Sequence, residues 1–278
     1  MTVLEVLQST TAYFKKRDIE SPRLNAEHLL AHALGRKRIE LYLEFERPLA
    51  EPELAPLREL VRRRGQGEPL QHLLGTVEFA GRVFLCDKRA LVPRPETEQL
   101  VELLKSEIRN PKSEILDVGT GSGVIALTLA AQFSEAQVTA VDISDAALAL
   151  ARENAARLGL QERVRFAKGN LLAEADGAFD LIVANLPYVP NGDRSTLSRE
   201  VLHDPAVAVF GGDRGDELVR ELIRMAPARL HPGGMLALEI GIGQAEDLVA
   251  LLGEKNYHDI ASIRDYCGVK RFLFGRYG

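Results

Sequence analysis

Apolar residues recur at helical spacing over residues 3–13 and again over residues 24–34. Ser21, which is followed by a proline, is the expected N-cap of the second helix. A third amphipathic helix is predicted over residues 53–64, and the three arginines near its end are expected on a solvated face: Arg62, Arg63 and Arg64. The pattern predicts a small helical domain over residues 1–75.

The pattern changes at residue 76. Apolar residues on both sides of Gly81 predict a short β-hairpin, which places a linker at residues 76–91. The run Val92–Glu98 contains two prolines that stiffen the backbone, and the second can open a helix with an acidic first turn. We expect this run to form one wall of a pocket at the start of a second domain, residues 92–278.

In the second domain, short buried strands alternate with helices. Strands are predicted over residues 115–118, 138–141, 164–167, 179–184 and 235–240, and an antiparallel pair over 260–263 and 272–274 closes the chain. His231, Pro232, Gly233 and Gly234 are expected to form a turn before the fifth strand. Alternation of this kind predicts an α/β, Rossmann-like fold with a mostly parallel sheet.

Charge and cysteine content narrow the function classes. The 278 residues carry a net charge of -5, with about +1 on residues 1–75 and about -6 on the remainder, so direct binding of nucleic acid is not expected. The two cysteines, Cys86 and Cys267, form neither a disulfide framework nor a zinc site and fit a reducing cytoplasm. No signal peptide or membrane-spanning run is predicted.

A glycine-rich loop follows the first strand of the second domain, and an acidic residue, Asp142, ends the next strand. Glycines permit a tight turn and close approach of a ligand to the backbone, and an acid at the second strand tip accepts hydrogen bonds from a ribose. These features predict a nucleoside site built from Asp117, Gly119, Thr120, Gly121, Ser122, Gly123 and Asp142.

NAD and S-adenosylmethionine are the two ligands that this loop could hold. Dinucleotide loops normally read G-x-G-x-x-G and hold a pyrophosphate, whereas the glycines here alternate behind Asp117. An acid at that position would repel pyrophosphate but would engage the amino group of a methionine moiety. The loop therefore favours S-adenosylmethionine.

The strand over residues 179–184 ends in Asn185, Leu186, Pro187 and Tyr188, at the edge of the sheet where ligands bind. The Asn185 side-chain oxygen and the Leu186 carbonyl can each accept one N–H of a planar amide or amino group. These contacts would orient the nitrogen lone pair toward a methyl donor, with Tyr188 packed on the planar group. The alternative is a strand that simply ends at a helix breaker.

Together these motifs resemble the HemK-type protein-(glutamine-N5) methyltransferases over nearly the whole chain. The resemblance lies in residues 21–30, 67–71, 75–79, 92–98, 119–123, 185–188, 238–241 and 265–266, with Asp142 and Gln244. It implies a seven-stranded methyltransferase domain and a helical substrate-docking domain. It also implies methyl transfer from S-adenosylmethionine to the glutamine of the Gly-Gly-Gln loop in peptide chain release factors, an event of translation termination.

Two positions depart from the family pattern. The family motif is Asn-Pro-Pro-Tyr, and Leu186 replaces its first proline; the carbonyl remains, but some rigidity is lost and an N–H is added. An acidic residue is common beside the adenine where Gly169 and Asn170 stand, ahead of Leu171. The Asn170 carboxamide can still hydrogen-bond the adenine amino group.

Two alternatives remain open. A DNA or RNA amino-methyltransferase shares the Asn-Pro-Pro-Tyr type of site but needs a basic surface and a route to a flipped base. The acidic second domain and the helical first domain argue against it. The second alternative is a homologue that binds S-adenosylmethionine but is catalytically weakened by Leu186.

Overall fold

The computed structural model describes residues 1–278 and divides into two compact units. The first comprises residues 1–76 together with residues 198–203, and the second comprises residues 77–197 and 204–278. Residues 198–203 thus fold with the helical unit although they lie far along the chain from it. No helix has the length and apolar character that crossing a membrane would need.

The first unit is helical, as the periodicity predicts. Its interior is formed by the apolar stripes that the sequence pattern marks, including Val3, Leu7 and Leu29, all of which are buried. Two short helices, over residues 38–41 and 70–74, were not predicted. The helices are Val3–Lys15 (α1), Pro22–Leu34 (α2), Arg38–Leu41 (α3), Glu51–Gly65 (α4) and Leu70–Leu74 (α5).

The start of α2 confirms Ser21 as the N-cap residue, with Pro22 at the first helical position, but the conformation of this cap is unusual. Ser21 occupies the N-cap position, but its backbone is left-handed, with φ 45°, and its side chain makes no capping hydrogen bond. An N-cap normally has an extended backbone that turns its oxygen toward the first helical N–H groups. The Asn25 carboxamide donates to the carbonyls of Glu20 (2.9 Å) and Ser21 (3.2 Å). These bonds hold the residues before the helix and do not cap its N–H groups.

Arg64 corrects the expectation of a solvated arginine face. Its side chain is buried, with 2% of its surface exposed, whereas the Arg62 side chain keeps 54%. Nε of Arg64 donates to Oδ1 of Asn25 at 2.7 Å, and its guanidinium also binds the Glu68 carbonyl and the Glu200 carboxylate. These three partners satisfy a cation that could not otherwise be buried. They join α2, the end of α4 and residues 198–203 within the first unit.

We expect Arg64→Ala to lower the free energy of unfolding by about 3 kcal/mol, because it opens a cavity and leaves the Asn25 oxygen without its donor. Urea unfolding followed by circular dichroism measures the loss. Arg62→Ala is the matched control: its exposed pair with Glu59 is worth less than about 1 kcal/mol. Equal losses for the two variants would contradict a structural role for Arg64.

The second unit is built on a seven-stranded sheet, which confirms the predicted fold class. The strand order is β10-β11-β9-β6-β3-β4-β5, and all neighbours are parallel except the two pairs that involve β11. The strands are Glu114–Val118 (β3), Gln137–Asp142 (β4), Val164–Lys168 (β5), Phe179–Asn185 (β6), Leu230–Glu239 (β9), Tyr257–Arg264 (β10) and Lys270–Tyr277 (β11).

Helices cover both faces of this sheet, which explains why its central strands are almost entirely apolar. One buried layer contains residues of α10 and α11, and the other contains residues of α6 and α7. The helices are Pro95–Glu107 (α6), Val124–Gln132 (α7), Asp145–Leu158 (α8), Ala206–Val209 (α9), Glu217–Met225 (α10) and Ala245–Glu254 (α11).

Three smaller features complete the second unit. The predicted hairpin is confirmed as Thr76–Phe79 (β1) paired with Arg82–Leu85 (β2). A two-stranded sheet, Val189–Pro190 (β7) and Phe210–Gly212 (β8), follows β6. The expected turn at residues 231–234 lies inside β9, where the pairing with β6 jumps from Leu230 to Met235. The extra residues form an irregularity in the strand and do not end it.

Candidate active site

A cavity of about 350 Å³ lies at the carboxyl ends of β3, β4 and β6. This is the edge at which parallel α/β sheets bind ligands, and the volume suits a small molecule. Most of the residues singled out in the sequence line the cavity: Gly119, Thr120, Gly121, Ser122, Asp142, Asn170, Leu171, Asn185, Leu186 and Pro187. Asp117, Gly123 and Tyr188 are not among the lining residues.

The glycine-rich loop turns immediately after β3. Gly119 and Gly121 have φ values of +73° and +57°, a left-handed conformation that residues with a side chain rarely adopt. The Gly119 N–H donates to the Val141 carbonyl at 2.8 Å, which holds the loop against β4. A Cβ atom on Gly119 would approach the Leu186 side chain to 2.9 Å. The positive φ and this close contact both favour glycine at position 119, next to the end of β6.

Asp142 ends β4 and holds the same loop from the other side. Its Oδ2 accepts the Gly121 N–H at 2.8 Å, and its Oδ1 accepts the Ser144 N–H at 2.9 Å. Burial raises the pKa of this carboxyl group, and the backbone N–H donors act in the opposite direction. Both oxygens keep lone pairs, so Asp142 can fix the loop and still accept hydrogen bonds from a ligand.

Asp117 does not reach the cavity as the sequence suggested. It is completely buried below the loop, where its Oδ2 accepts the Thr120 hydroxyl at 2.6 Å and the Ala126 N–H at 3.1 Å. Burial raises the pKa of this carboxyl group to about 7. Its Oδ1 is buried and has no hydrogen-bond partner. The carboxyl group thus braces the loop and the start of α7, and keeps one acceptor atom unused.

Asn170 and Leu171 lie at the cavity just beyond β5. Leu171 has φ +50°, a left-handed conformation that costs a non-glycine residue about 1 kcal/mol or more, and its side chain is buried in the core. The Gly169 N–H donates to the Asp142 carbonyl at 3.0 Å. This strained turn carries the Asn170 carboxamide to the wall beside Asp142.

The Asn185 side chain is held by two residues that were not among the predicted site residues. Its Nδ2 donates to Oγ1 of Thr97 at 3.0 Å, and the Thr97 hydroxyl donates to Oε2 of Glu239 at 2.8 Å. Asn185 and Glu239 are directly paired residues on the parallel strands β6 and β9. Because the amide nitrogen is engaged with Thr97, the amide oxygen at its other end remains available to the cavity.

Glu239 is buried, with 1% of its surface exposed. Burial raises the pKa of its carboxyl group to about 7, against the opposing effects of the Thr97 hydrogen bond and the charge of Arg271. Thr97 belongs to the stiff proline-containing run and Glu239 is the last residue of β9. A sequence signal was therefore available, since a polar residue at the tip of the strand beside β6 must lie close to Asn185.

Leu186 and Pro187 line the cavity, whereas Tyr188 lies outside it. Burial raises the pKa of the Tyr188 hydroxyl to about 12, and its ring lies 5.8 Å from the Arg271 guanidinium carbon. The Tyr188 carbonyl accepts Nε2 of Gln244 at 3.1 Å, and Oε1 of Gln244 accepts the Gly241 N–H. These contacts anchor the turn after β6, and packing of the Tyr188 ring on an acceptor amide stays a prediction.

We expect Leu186→Pro to keep or modestly raise kcat for the methyl transfer that the sequence predicts, because the carbonyl at this position survives and the turn becomes stiffer. The buried Leu186 side chain, close to Gly119, is lost, so the melting temperature should fall. Leu186→Ala is the control that loses the same packing without stiffening the turn. If Leu186→Pro were folded but inactive, the carbonyl would not be the feature that matters at this position.

The sequence predicted only part of the second wall of the cavity. The run Val92–Glu98 does line the cavity, through Pro93, Arg94 and Thr97. It is fixed by Asp204, whose Oδ2 accepts Nη2 of Arg94 at 2.9 Å and whose Oδ1 accepts the Val92 N–H at 3.3 Å. The residues after Asp204 add an apolar surface that no motif predicted: Pro205, Val207, Ala208 and Phe210.

Comparison with known protein families matches both parts of the chain. Residues 5–75 match the family described as PrmC N-terminal domain. Residues 95–208 match the family described as methyltransferase small domain. The first match covers the helical unit, and the second covers the glycine loop, Asp142 and the turn after β6.

Full-length relatives agree with these matches. The release factor glutamine methyltransferases of Geobacter sulfurreducens and Deinococcus radiodurans are each 42% identical to this chain. The alignments cover 100% and 99% of this chain and 97% and 99% of those proteins. Among solved structures, a ribosomal protein L11 methylase from Lactobacillus delbrueckii subsp. bulgaricus superposes with a TM-score of 0.51 at 26% identity, over 66% of this chain and 81% of that one. The chain belongs to the release factor glutamine methyltransferase family.

Proposed function

We propose that the protein transfers a methyl group from S-adenosylmethionine to the side-chain amide nitrogen of the glutamine in the Gly-Gly-Gln motif of peptide chain release factors. The observation that carries this proposal is the Asn185 carboxamide, whose nitrogen is engaged with Thr97 and whose oxygen is left for the cavity. Its relatives of 36–42% identity are named for this activity. A catalytic unit with a net charge of about -6 argues against a nucleic acid substrate.

The cavity residues fit the methyl donor. Asp142 offers carboxylate oxygens to ribose hydroxyls, Asn170 offers a carboxamide to the adenine amino group, and the exposed Ile143 offers an apolar face to the adenine ring. When bound, S-adenosylmethionine supplies a methyl group on a positively charged sulfur.

The acceptor presents a chemical difficulty that Asn185 and Leu186 answer. An amide nitrogen is a poor nucleophile because its lone pair is delocalised into the carbonyl group. The Asn185 oxygen and the Leu186 carbonyl accept the two N–H bonds of the amide and turn its lone pair toward the donor methyl. Both acceptors also favour the positive charge that develops on the nitrogen as it gains the methyl group, and the nitrogen then releases one of its two N–H protons to water, because a nitrogen-protonated amide is a strong acid. Positioning and fixed dipoles therefore supply most of the catalysis.

The helical unit is the part of the protein to which we assign binding of the substrate protein. We infer that residues 1–75 dock the release factor, because this domain is nearly neutral and carries exposed apolar side chains on and just after α3, such as Ile39 and Leu43. Recognition there rests on shape and apolar contact more than on charge. Since release factors act on ribosomes, we place the activity in the cytoplasm.

The test is mass spectrometry of a release factor and of bulk nucleic acid after incubation with the protein and S-adenosylmethionine. One methyl group is expected on the glutamine of the Gly-Gly-Gln peptide, and none on nucleic acid. A release factor in which that glutamine is replaced by asparagine serves as the control substrate. Methylated nucleic acid with an unmodified release factor would overturn the proposal in favour of an RNA or DNA methyltransferase.

A further inference from the structure

The hydrogen bonds from the cavity to the core run in one direction. Nδ2 of Asn185 donates to Oγ1 of Thr97, and Oγ1 of Thr97 donates to Oε2 of Glu239. An ionised carboxylate has no hydrogen to give, so it can only accept. The Thr97 hydroxyl hydrogen is then committed to Glu239, and Oγ1 offers only lone pairs to Asn185. The Asn185 carboxamide must therefore present its NH2 to Thr97 and its oxygen to the opposite side.

We propose that the ionised Glu239 carboxylate, acting through the Thr97 hydroxyl, sets which end of the Asn185 carboxamide faces the acceptor. This inference rests on the proposed function, because it assigns two positioning residues to that reaction. The two ends of a carboxamide are nearly equal in shape and differ only in hydrogen bonding. Packing alone cannot choose between them, and a fixed donor or acceptor at one end can.

Protonation of Glu239 reverses these hydrogen bonds. A carboxylic acid can donate to Thr97, which frees the Thr97 hydroxyl hydrogen to donate to Asn185. The carboxamide can then rotate, with its oxygen toward Thr97 and its NH2 toward the cavity. Two NH2 groups would face each other, and the acceptor amide would lose one of its two orienting partners.

The surroundings of Glu239 place the pKa of its carboxyl group near physiological pH. Burial raises the pKa of Glu239 to about 7; the Thr97 hydrogen bond, the charge of Arg271 and the nearby Asn185 NH2 act in the opposite direction, and the charge of Glu96 adds to the rise. The Arg271 guanidinium is held by the Ile240 carbonyl at 3.1 Å. The groups that face Glu239 are Glu96 and Thr97 on α6, Asn185 on β6, Tyr188 on the following turn and Arg271 on β11. Activity should therefore rise with pH through about 7.

Kinetics of two isosteric variants test the proposal. Thr97→Val removes the hydroxyl and Glu239→Gln removes the charge while keeping the shape. Each should lower kcat about 10-fold or more, less than removal of Asn185 itself, while calorimetric affinity for S-adenosylmethionine stays within about twofold. The rise of kcat with pH should disappear in Glu239→Gln, because that variant has no ionisable group at this position. A pH profile that is unchanged in Glu239→Gln would overturn the proposal.

Two controls separate positioning from packing. Thr97→Ser keeps the hydroxyl and should restore most of the kcat that Thr97→Val loses. Thr128 is a completely buried threonine whose Oγ1 has no partner, so Thr128→Val should leave kcat unchanged. If Thr128→Val lowered kcat as much as Thr97→Val, loss of packing would explain both effects and the proposal would fail.

Nuclear magnetic resonance gives a readout without turnover. The side-chain NH2 signals of Asn185, identified by their loss in Asn185→Ala, should shift with pH near 7 in the natural protein and not in Glu239→Gln. The absence of this titration in the natural protein would overturn the proposal. Activity lost in Asn185→Ala but retained in both Thr97→Val and Glu239→Gln would overturn this inference alone. Absence of release factor methylation by the natural protein would overturn the proposed function instead.

Discussion

Asn185→Ala should lower kcat for release factor methylation by about 10²–10³-fold, because one of two preorganised hydrogen-bond acceptors for the substrate amide is removed. The Leu186 carbonyl remains, so the acceptor can still bind but is held by one partner only. Donor affinity should change less, since the main contacts proposed for the donor lie at the glycine loop and Asp142. Single-turnover kinetics with a release factor and calorimetry with S-adenosylmethionine measure the two effects.

A neighbouring asparagine provides the control for this prediction. Asn191 is exposed and its Nδ2 donates to Asp213, away from the cavity lining. Asn191→Ala should leave kcat unchanged. Full activity in a folded Asn185→Ala protein would show that the turn after β6 does not orient the acceptor amide, and Asn185 would then lose its assignment as a catalytic residue.

Asp142→Ala should weaken binding of S-adenosylmethionine by about 1.5–3 kcal/mol, the value of a set of charge-assisted hydrogen bonds. The structure gives a second reason for a large effect: Asp142 also accepts the N–H of Gly121 at 2.8 Å. The substitution therefore removes a contact to the donor and also releases the loop that surrounds it. Calorimetric titration measures the affinity, and circular dichroism checks that the sheet remains folded.

Two further variants sharpen the result for Asp142. Asp142→Asn keeps one oxygen acceptor, so its loss of affinity should lie between those of the natural protein and Asp142→Ala. Asp145 is an exposed acid at the start of α8 that pairs with Lys168, and Asp145→Ala should bind the donor normally. Equal affinity in Asp142→Ala and the natural protein would remove Asp142 from the site.

Truncation of the chain is not a suitable test of the docking role that we propose for the helical domain. Residues 198–203 belong to the same compact unit as residues 1–76, and Glu200 binds the buried Arg64. Truncation at residue 75 would divide that unit and leave residues 198–203 without their partners. A loss of activity after truncation would therefore not distinguish docking from misfolding.

The order and type of the elements could be read from the sequence, because hydrophobic periodicity is a local property. Apolar runs identified the central strands, and helical spacing identified α1, α2 and α4. The position of the cavity followed as well, since the carboxyl ends of parallel strands share one edge. Gly119, Asp142 and Asn185 could be chosen because each directly follows or ends a strand.

Side-chain environments were decided only by the tertiary structure. Arg64 stands in a run of three arginines that looks uniformly solvated, and it is buried because Asn25, Glu68 and Glu200 converge on it from distant positions. In the same way, Asp117 follows the pattern of a ligand-binding acid but lies below the loop that it supports. Local pattern carries no information on which partners surround a charged group.

The sequence by itself determined the sheet, the loop after its first strand and the residues at the edge where ligands bind. Only the tertiary structure decided how Asn185 is oriented, because its partner Thr97 lies 88 positions away and Thr97 in turn binds Glu239 over 142 positions. Strand pairing sets β6 beside β9, and packing sets α6 against their ends. A hydrogen bond needs its two atoms within about 3 Å, and only the folded chain brings them there.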